Sequence, residues 1–559
     1  MDYQREQRRQ RRRRIRRRNR RIALVAIILL LALAVVAGKT WRDGSLQALL
    51  GIGWSDRPMQ LGMVSKIKSL DPILIQEHPG RMLGANIYEG LVAMDPETLN
   101  PVPALAESWK VSSDARVYTF KLRRGVEFHS GREFTATDVK RSWERATDPV
   151  VDPRLRNQLY PIQGAREALE GKASQIVGIE IVSNYEVRVS LDQPIADFIS
   201  RCTMPPFWVF DAEVLTPLGK KTYIAGMPSA GTGPYMLQEW TEKQAVLAAN
   251  PNYWGKAPNI KQAVFTWYDS YILAYEAYKN NGLDYLDEVD SSLLPAIVND
   301  PQWSPQVLSQ PLLNSYFFQF NMQDPVWGRN LALRQAVNYA VNRDEIVEKV
   351  FVHKVTPLTS LVPAGVRGYQ PPKFPYAYDP AAATRLLQQS GYPDGQGLPV
   401  LEIVYNDYVT HKMVAEAVKE QLAKVGIKAQ PRPVSAKDYL NTLAQGKYPC
   451  FDSGWYWDFP DPDDLFFTNF HSSWVGVTNY GFLKNEQVDG LLGAARIEVD
   501  ESKRFEKYQQ VEKIFNDEAP IVWLFSMQRV AMVKPSVRGL KVNPLDFIPL
   551  NTVGIREND

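Results

Sequence analysis

Apolar and polar positions alternate along residues 118–123. Tyr118, Phe120 and Leu122 share one face of a period-two strand, with Thr119, Lys121 and Arg123 on the other. Arg124-Gly125 and Ser130-Gly131 are turn signals around the short apolar segment 126–128. Thr135 then predicts a helix N-cap, with Asp138 at the third helical position and Phe134 and Val139 spaced as a hydrophobic staple. The first half, to about residue 312, continues with short strands and helices in no strict alternation, among them the strand-like 185–191 (YEVRVSL) and the turn 231–235 (GTGPY). The second half has a stricter grammar. Residues 315–321 (SYFFQFN) predict a buried strand, and 331–341 a helix with Leu333, Ala336 and Ala340 on one stripe. Asp379-Pro380 opens a helix closed near Gly391, 400–405 is a strand, and 412–425 is a helix capped by Gly426. Residues 427–434 return as a strand whose two prolines favour a sheet edge, 437–445 form a helix ended by Gly446, and 450–457 are apolar and aromatic again. That alternation predicts an α/β lobe. Beyond it come a helix over 503–515 and a strand-rich tail from Pro520.

With 559 residues the chain is long enough for roughly three to four domain-sized units. Composition (45% hydrophobic, 23% charged) fits a soluble globular body. The formal net charge of +3 hides an asymmetry: residues 1–21 carry 12 Arg against Asp2 and Glu6, a local charge of +10, which leaves −7 for the rest. A mildly acidic body argues against nucleic-acid binding. Residues 22–38 are 17 uncharged positions, about 25 Å of helix at about 1.5 Å per residue. They are read either as a transmembrane anchor or as a cleaved secretory signal; in both readings the Arg block stays cytoplasmic and the rest is exported. No cysteine lies just after the apolar segment, so a lipid-modified N-terminal Cys is excluded. Cys202 and Cys450 are the only cysteines, and an exported location leaves both a disulfide and two buried thiols open.

The stretch 105–139 (LAESWKVSSDARVYTFKLRRGVEFHSGREFTATDV) resembles the signature region of the bacterial extracellular solute-binding proteins of family 5, the dipeptide- and oligopeptide-binding group. Further blocks follow in order: Ser69-Leu-Asp-Pro72, 86–95 (NIYEGLVAMD), 231–235, 250–254, 330–346 (NLALRQAVNYAVNRDEI), Tyr378-Asp-Pro380 with Gly391-Tyr392, and 454–466 (GWYWDFPDPDDLF). Each is weak alone; in this order and spacing they carry a resemblance that runs from about Gly62 to the C-terminus, close to nine-tenths of the chain. The resemblance implies a two-lobed α/β fold like that of periplasmic binding proteins, of the large type II (cluster C) kind. It implies that the chain crosses between lobes twice. The expected layout is an Arg-rich cytoplasmic segment (1–21), an anchor or signal segment (22–38), a linker (39–59), lobe I (60–312, completed by 527–559) and lobe II (313–526).

In relatives of this kind an aspartate in the segment matching Gly454-Trp-Tyr-Trp-Asp458 pairs with the ligand's α-ammonium group, which points to Asp458. The chemistry agrees, because closing two lobes strips water from the ammonium and a buried charge needs a fixed partner. Trp455 and Trp457, with Tyr456 between them, are candidate ligand walls. The opposing interpretation packs the aromatic run into a lobe core and uses Asp458 as a turn cap. Arg367 suits a ligand carboxylate through its planar fork, although surface arginines are common. Asn321 could donate to ligand backbone, or serve strand-end chemistry. The acidic run Asp458, Asp461, Asp463 and Asp464 lacks the glycine and distal glutamate of a calcium loop, so no metal or cofactor is expected. The five histidines (His78, His129, His353, His411 and His471) show no HExxH or His-x-His spacing, and no Gly-x-Ser-x-Gly elbow or Walker loop is present, so no enzyme is expected.

The expected function is therefore capture of peptides by hinge closure and their delivery to an ABC permease, by a monomer held outside the cytoplasm at the cytoplasmic membrane. Two alternatives stand beside it: the same fold binding a nickel chelate, haem, sugar or other small solute, and a membrane-anchored interaction or scaffold domain.

Overall fold

The apolar runs of the sequence become strands of one sheet that threads both halves of the chain. The computed structural model describes residues 54–75, 77–149, 151, 157–215, 229–366 and 369–556. Twelve strands form the sheet: β1 (Met59–Met63), β2 (Tyr235–Trp240), β3 (Gln244–Ala249), β4 (Gln262–Trp267), β5 (Tyr285–Leu286) and β6 (Val307–Pro311) from the first half. From the second half come β7 (Asn314–Phe320), β8 (Val355–Pro357), β9 (Leu401–Asn406), β10 (Ala429–Val434), β11 (Cys450–Tyr456) and β12 (Ile521–Val533). The order is β2-β3-β4-β1-β5-β12-β7-β11-β9-β10, with β6 and β8 also paired to β12.

Strand β12 joins the two lobes. Its early residues pair with β7, Ile521 opposite Gln319 and Trp523 opposite Phe317. Its later ones pair with β6 and β5, Met532 opposite Val307 and Val533 opposite Tyr285. Residues 521–525 are all buried, as a strand covered on both faces requires. Ser526, Met527 and Gln528 are only half-buried, and there the pairing changes from one lobe to the other.

In the first half, α1 (His78–Ile87) lies early in the chain and α2 (Ala136–Arg145) packs beside a separate four-stranded sheet. That sheet runs Ala106–Val111, Val117–Leu122, Glu186–Ser190, Ile179–Ser183. Tyr118, Phe120 and Leu122 point into its core, as their period predicts. Thr135 precedes α2, its N–H donating to Asp138 Oδ2 (2.9 Å), and Phe134 and Val139 are fully buried. Gly231 has to be glycine: a Cβ there would lie 1.8 Å from the Ile87 carbonyl oxygen at the end of α1. His129 holds the same turn, its ring nitrogens meeting Ser229 Oγ (2.7 Å) and the Gly233 carbonyl (3.0 Å).

The second half alternates as the sequence predicts: α3 (Leu331–Ala340), α4 (Pro380–Gln389), β9, α5 (Val409–Ala423), β10, α6 (Tyr439–Ala444) and β11. Asp379 caps α4 by accepting the Ala382 N–H (2.8 Å). Strand β10, carrying Pro431 and Pro433, lies at the sheet edge, where missing N–H groups cost least. Helices α7 (Pro462–Phe470) and α8 (Glu501–Glu518) follow. The latter outruns its predicted bounds because Asp500 caps its start, accepting the Lys503 N–H (3.1 Å), and Ala519 ends it in the left-handed region (φ 48°).

Cys202 and Cys450 are buried free thiols in different hydrophobic cores, so they do not meet. The Arg block, the apolar segment 22–38 and most of the linker lie outside the described residues. Among the described residues no helix is long and apolar enough to cross a membrane.

Candidate functional site

Strand β11 carries the chain from a buried second-half core to an exposed end. Cys450, Phe451 and Asp452 are buried, Gly454 is exposed and Tyr456 is 54% exposed. Past the strand end, the Trp457 N–H donates to the Leu313 carbonyl (2.9 Å) and the Asp458 N–H to Asp464 Oδ2 (2.7 Å). Asp464, in the first turn of α7, also accepts the Trp455 indole N–H (2.8 Å). One carboxyl group thus orients both the Trp455 ring and the Asp458 backbone. Burial, followed by the nearby Asp458 charge, pushes the Asp464 carboxyl well above the usual range.

Asp458 is already partnered in this structure: Arg81 of α1, from the first half, donates through Nη2 to its Oδ1. The ion pair joins the two halves of the chain. Beside it, Arg81 Nε and Asp464 Oδ1 are buried with no hydrogen-bond partner among the described residues. The remaining acidic positions serve other arginines. Arg504 Nη1 donates to Asp461 (2.5 Å), and Arg201 Nη2 donates to Asp463 (2.6 Å). The Arg201 contact also crosses between the halves, and Phe459, fully buried, inserts into the first-half core beneath the Arg201 guanidinium. Three of the four acidic residues, Asp458, Asp461 and Asp463, thus pair with arginines.

A second charged group gathers residues from four separated segments. His78, at the start of α1, meets Asp287 Oδ2 through Nε2 (2.8 Å) and the Asp546 carbonyl through Nδ1 (2.8 Å). Burial alone would lower the imidazole, but the Asp287 and Asp546 charges outweigh it and push it up to about 10. Arg529, on β12 just past the crossing, donates to Asp546 Oδ1 (2.8 Å) and sits 3.4 Å from Glu288. Glu288 stays half exposed, and its carboxyl is raised by desolvation, with Arg529 opposing. The Tyr456 hydroxyl is likewise raised by desolvation and lowered in part by Arg529.

The structure thus brings Asp458 and Trp455 together on Asp464, sets Tyr456 beside Arg529 and Glu288, and separates the other candidates from them. Trp457 is 1% exposed and packs in a second-half core, because β11 turns its face inward there; it is a core residue and not a wall. Asn321 closes the end of β7, its amide donating to the Gly446 carbonyl (2.8 Å) and its oxygen accepting the Gln323 N–H (3.0 Å), so both polar ends are spent on backbone. Arg367 lies outside the described residues. Sequence reading missed Arg81, His78, Glu288, Arg529 and Asp546, which come from four separated segments. The one local signal was the spacing of His78 and Arg81, three apart on a helix and hence on one face.

Residues 100–476 match the model of the bacterial extracellular solute-binding proteins, family 5. The chain is 28% identical over 481 residues to the dipeptide-binding protein of Escherichia coli K12, covering 82% of this chain and 87% of the relative. It is 28% identical over 492 residues to the probable deoxycholate-binding periplasmic protein YgiS of the same strain, covering 86% and 90%. With heme-binding protein A of Haemophilus influenzae the identity is also 28%, over 474 residues covering 82% and 85%. The fold superposes on the Escherichia coli murein tripeptide binding protein MppA with a TM-score of 0.75 at 23% identity, covering 90% of this chain and all of that one. The two lobes joined by β12, the ordered sequence blocks and these matches agree: the chain belongs to the bacterial extracellular solute-binding proteins of family 5.

Proposed function

We propose that this protein captures peptides in the cleft between its lobes, closes over them and presents the closed form to an ABC permease. It would do so as a monomer tethered at the cytoplasmic membrane by its Arg-flanked apolar segment. The observation that carries the reading is Asp458, a carboxylate fixed through its backbone by α7 and facing a cation supplied by the opposite lobe. A peptide's α-ammonium is such a cation, and burying it needs such a partner. Trp455 and Tyr456 would wall the site with flat apolar faces that tolerate varied side chains, and Arg367 is assigned to a ligand carboxylate. Hinge closure follows if ligand contacts exist only when the lobes meet, since binding then shifts the population to the closed form.

Asp458→Ala is expected to weaken peptide binding at least about tenfold in calorimetric titration, with the melting temperature nearly unchanged. Unaltered affinity would remove Asp458 from the site. A non-peptide solute is the second reading, supported by the haem- and deoxycholate-binding names among the relatives. Mass spectrometry of ligand co-purified in the cleft separates them. A peptide mixture supports capture of peptides, a single other solute supports the second reading, and an empty cleft across ligand screens points to a scaffold role.

A further inference from the structure

Arg81 holds one oxygen of the carboxylate that a ligand ammonium would seek, and such a ligand competes with it for Asp458. What becomes of the displaced guanidinium decides which ligands can bind. The carboxylates near the start of α1 are already engaged: Asp546 by Arg529 and His78, Asp287 by His78 and the Tyr285 hydroxyl (3.2 Å). Asp464 has a free oxygen, but burial drives its carboxyl toward the neutral form. An ordinary peptide amino terminus carries an ammonium followed by a neutral amide. It would satisfy Asp458 and leave Arg81 unpaired as the lobes close, the costly way to break a partly buried pair. A ligand with ammonium and carboxylate on one carbon exchanges both partners at once: its nitrogen takes Asp458, and its two oxygens take the arginine fork, including the Nε that now lacks a partner.

We propose that Arg81 is a specificity-determining residue which, with Asp458, selects ligands that present an α-amino-acid zwitterion over peptides with an ordinary amino terminus. The inference rests on the reading of Asp458 as the ammonium partner. Linkage isomers test it: γ-L-glutamyl-L-alanine carries both charges on one carbon, whereas α-L-glutamyl-L-alanine has the same composition and net charge with the groups apart. Titration calorimetry of the full chain should show the γ isomer binding tighter by about tenfold or more. Arg81→Gln should abolish that preference chiefly by weakening the γ isomer, and Arg81→Lys, which keeps the charge but not the fork, should retain part of it. Equal affinities, a preference for the α isomer, binding of neither, or an unchanged ratio in Arg81→Gln would each overturn the proposal. Asp458→Asn distinguishes the two levels. If it weakens both isomers while Arg81→Gln leaves their ratio intact, the ammonium site stands and the zwitterion inference falls; if it alters neither, the ammonium reading fails as well.

Discussion

Two arginines in the first half meet aspartates in opposite ways. Arg132 is saturated: it donates to Asp138 through Nη1 (3.2 Å) and Nη2 (2.6 Å), and to Asp211 through Nε (3.1 Å) and Nη2 (2.7 Å). Its partners are saturated too, Asp138 by the Thr135 N–H and Asp211 by Ser130 Oγ (2.6 Å) and the Glu213 N–H (3.0 Å). Arg81 makes one ion pair between the halves of the chain and keeps an unpartnered Nε among the described residues. The residue types are the same. A closed network inside one lobe holds the fold, whereas an open network between lobes leaves bonding capacity for something that arrives later.

The sharpest way to break this contrast is to remove each arginine. Arg132→Ala strands two buried carboxylates and should cost about 3–5 kcal/mol of unfolding free energy in urea titrations, with the ligand affinity of the folded protein unchanged. Arg81→Gln acts on a partly exposed pair and should cost less than about 1 kcal/mol. Equal losses from both substitutions would dissolve the distinction.

The His78 group is an intermediate case, joining separated segments yet fully paired. Its folded value of about 10 lies above the ordinary 6.5, so the charged ring stabilises the fold. That contribution is complete below pH 6.5 and is lost as pH rises through about 10. The stability difference between the protein and His78→Asn should therefore be on the order of 2 kcal/mol at pH 6 and shrink toward alkaline pH. A difference that is flat with pH would mean that His78 contributes packing alone.

How far the sequence reached follows the same divide. Thr135 with Asp138, Asp379 with Pro380, and the alternation of Tyr118, Phe120 and Leu122 were legible because cap and period act over a few residues. Asp458 and Trp455 stood out through their motif, and the structure joins them through Asp464. Trp457 was misjudged because an aromatic run does not say where a strand end turns its face, and Asn321 because its backbone partner lies at Gly446. Arg81 reaches Asp458 across 377 positions, and Arg529, Glu288 and His78 meet only where β12 crosses. No local pattern encodes such meetings.

Glu512 gives the finest probe, because it is satisfied without being neutralised. Buried in α8, it accepts the Leu361 N–H (2.5 Å) and the Tyr369 hydroxyl (2.5 Å), pinning the loop on either side of Val366. Burial raises its carboxyl to about 7, with the Tyr369, Ser360 and Leu361 hydrogen bonds opposing. A folded value above the ordinary 4.5 means that the protonated form is favoured on folding. The stability it lends is present below about pH 4.5 and declines as pH rises through about 7. Glu512→Gln should remove that slope and gain about 1 kcal/mol relative to the parent at pH 8, less than linkage alone gives because the amide has one acceptor oxygen for the three donors Tyr369, Ser360 and Leu361. At pH 5 the parent should be the more stable of the two. If the two proteins instead keep a constant difference from pH 5 to 8, the hydrogen bonds of Tyr369 and Leu361 suffice to hold the carboxylate charged, and saturation by neutral donors would count as fully closed.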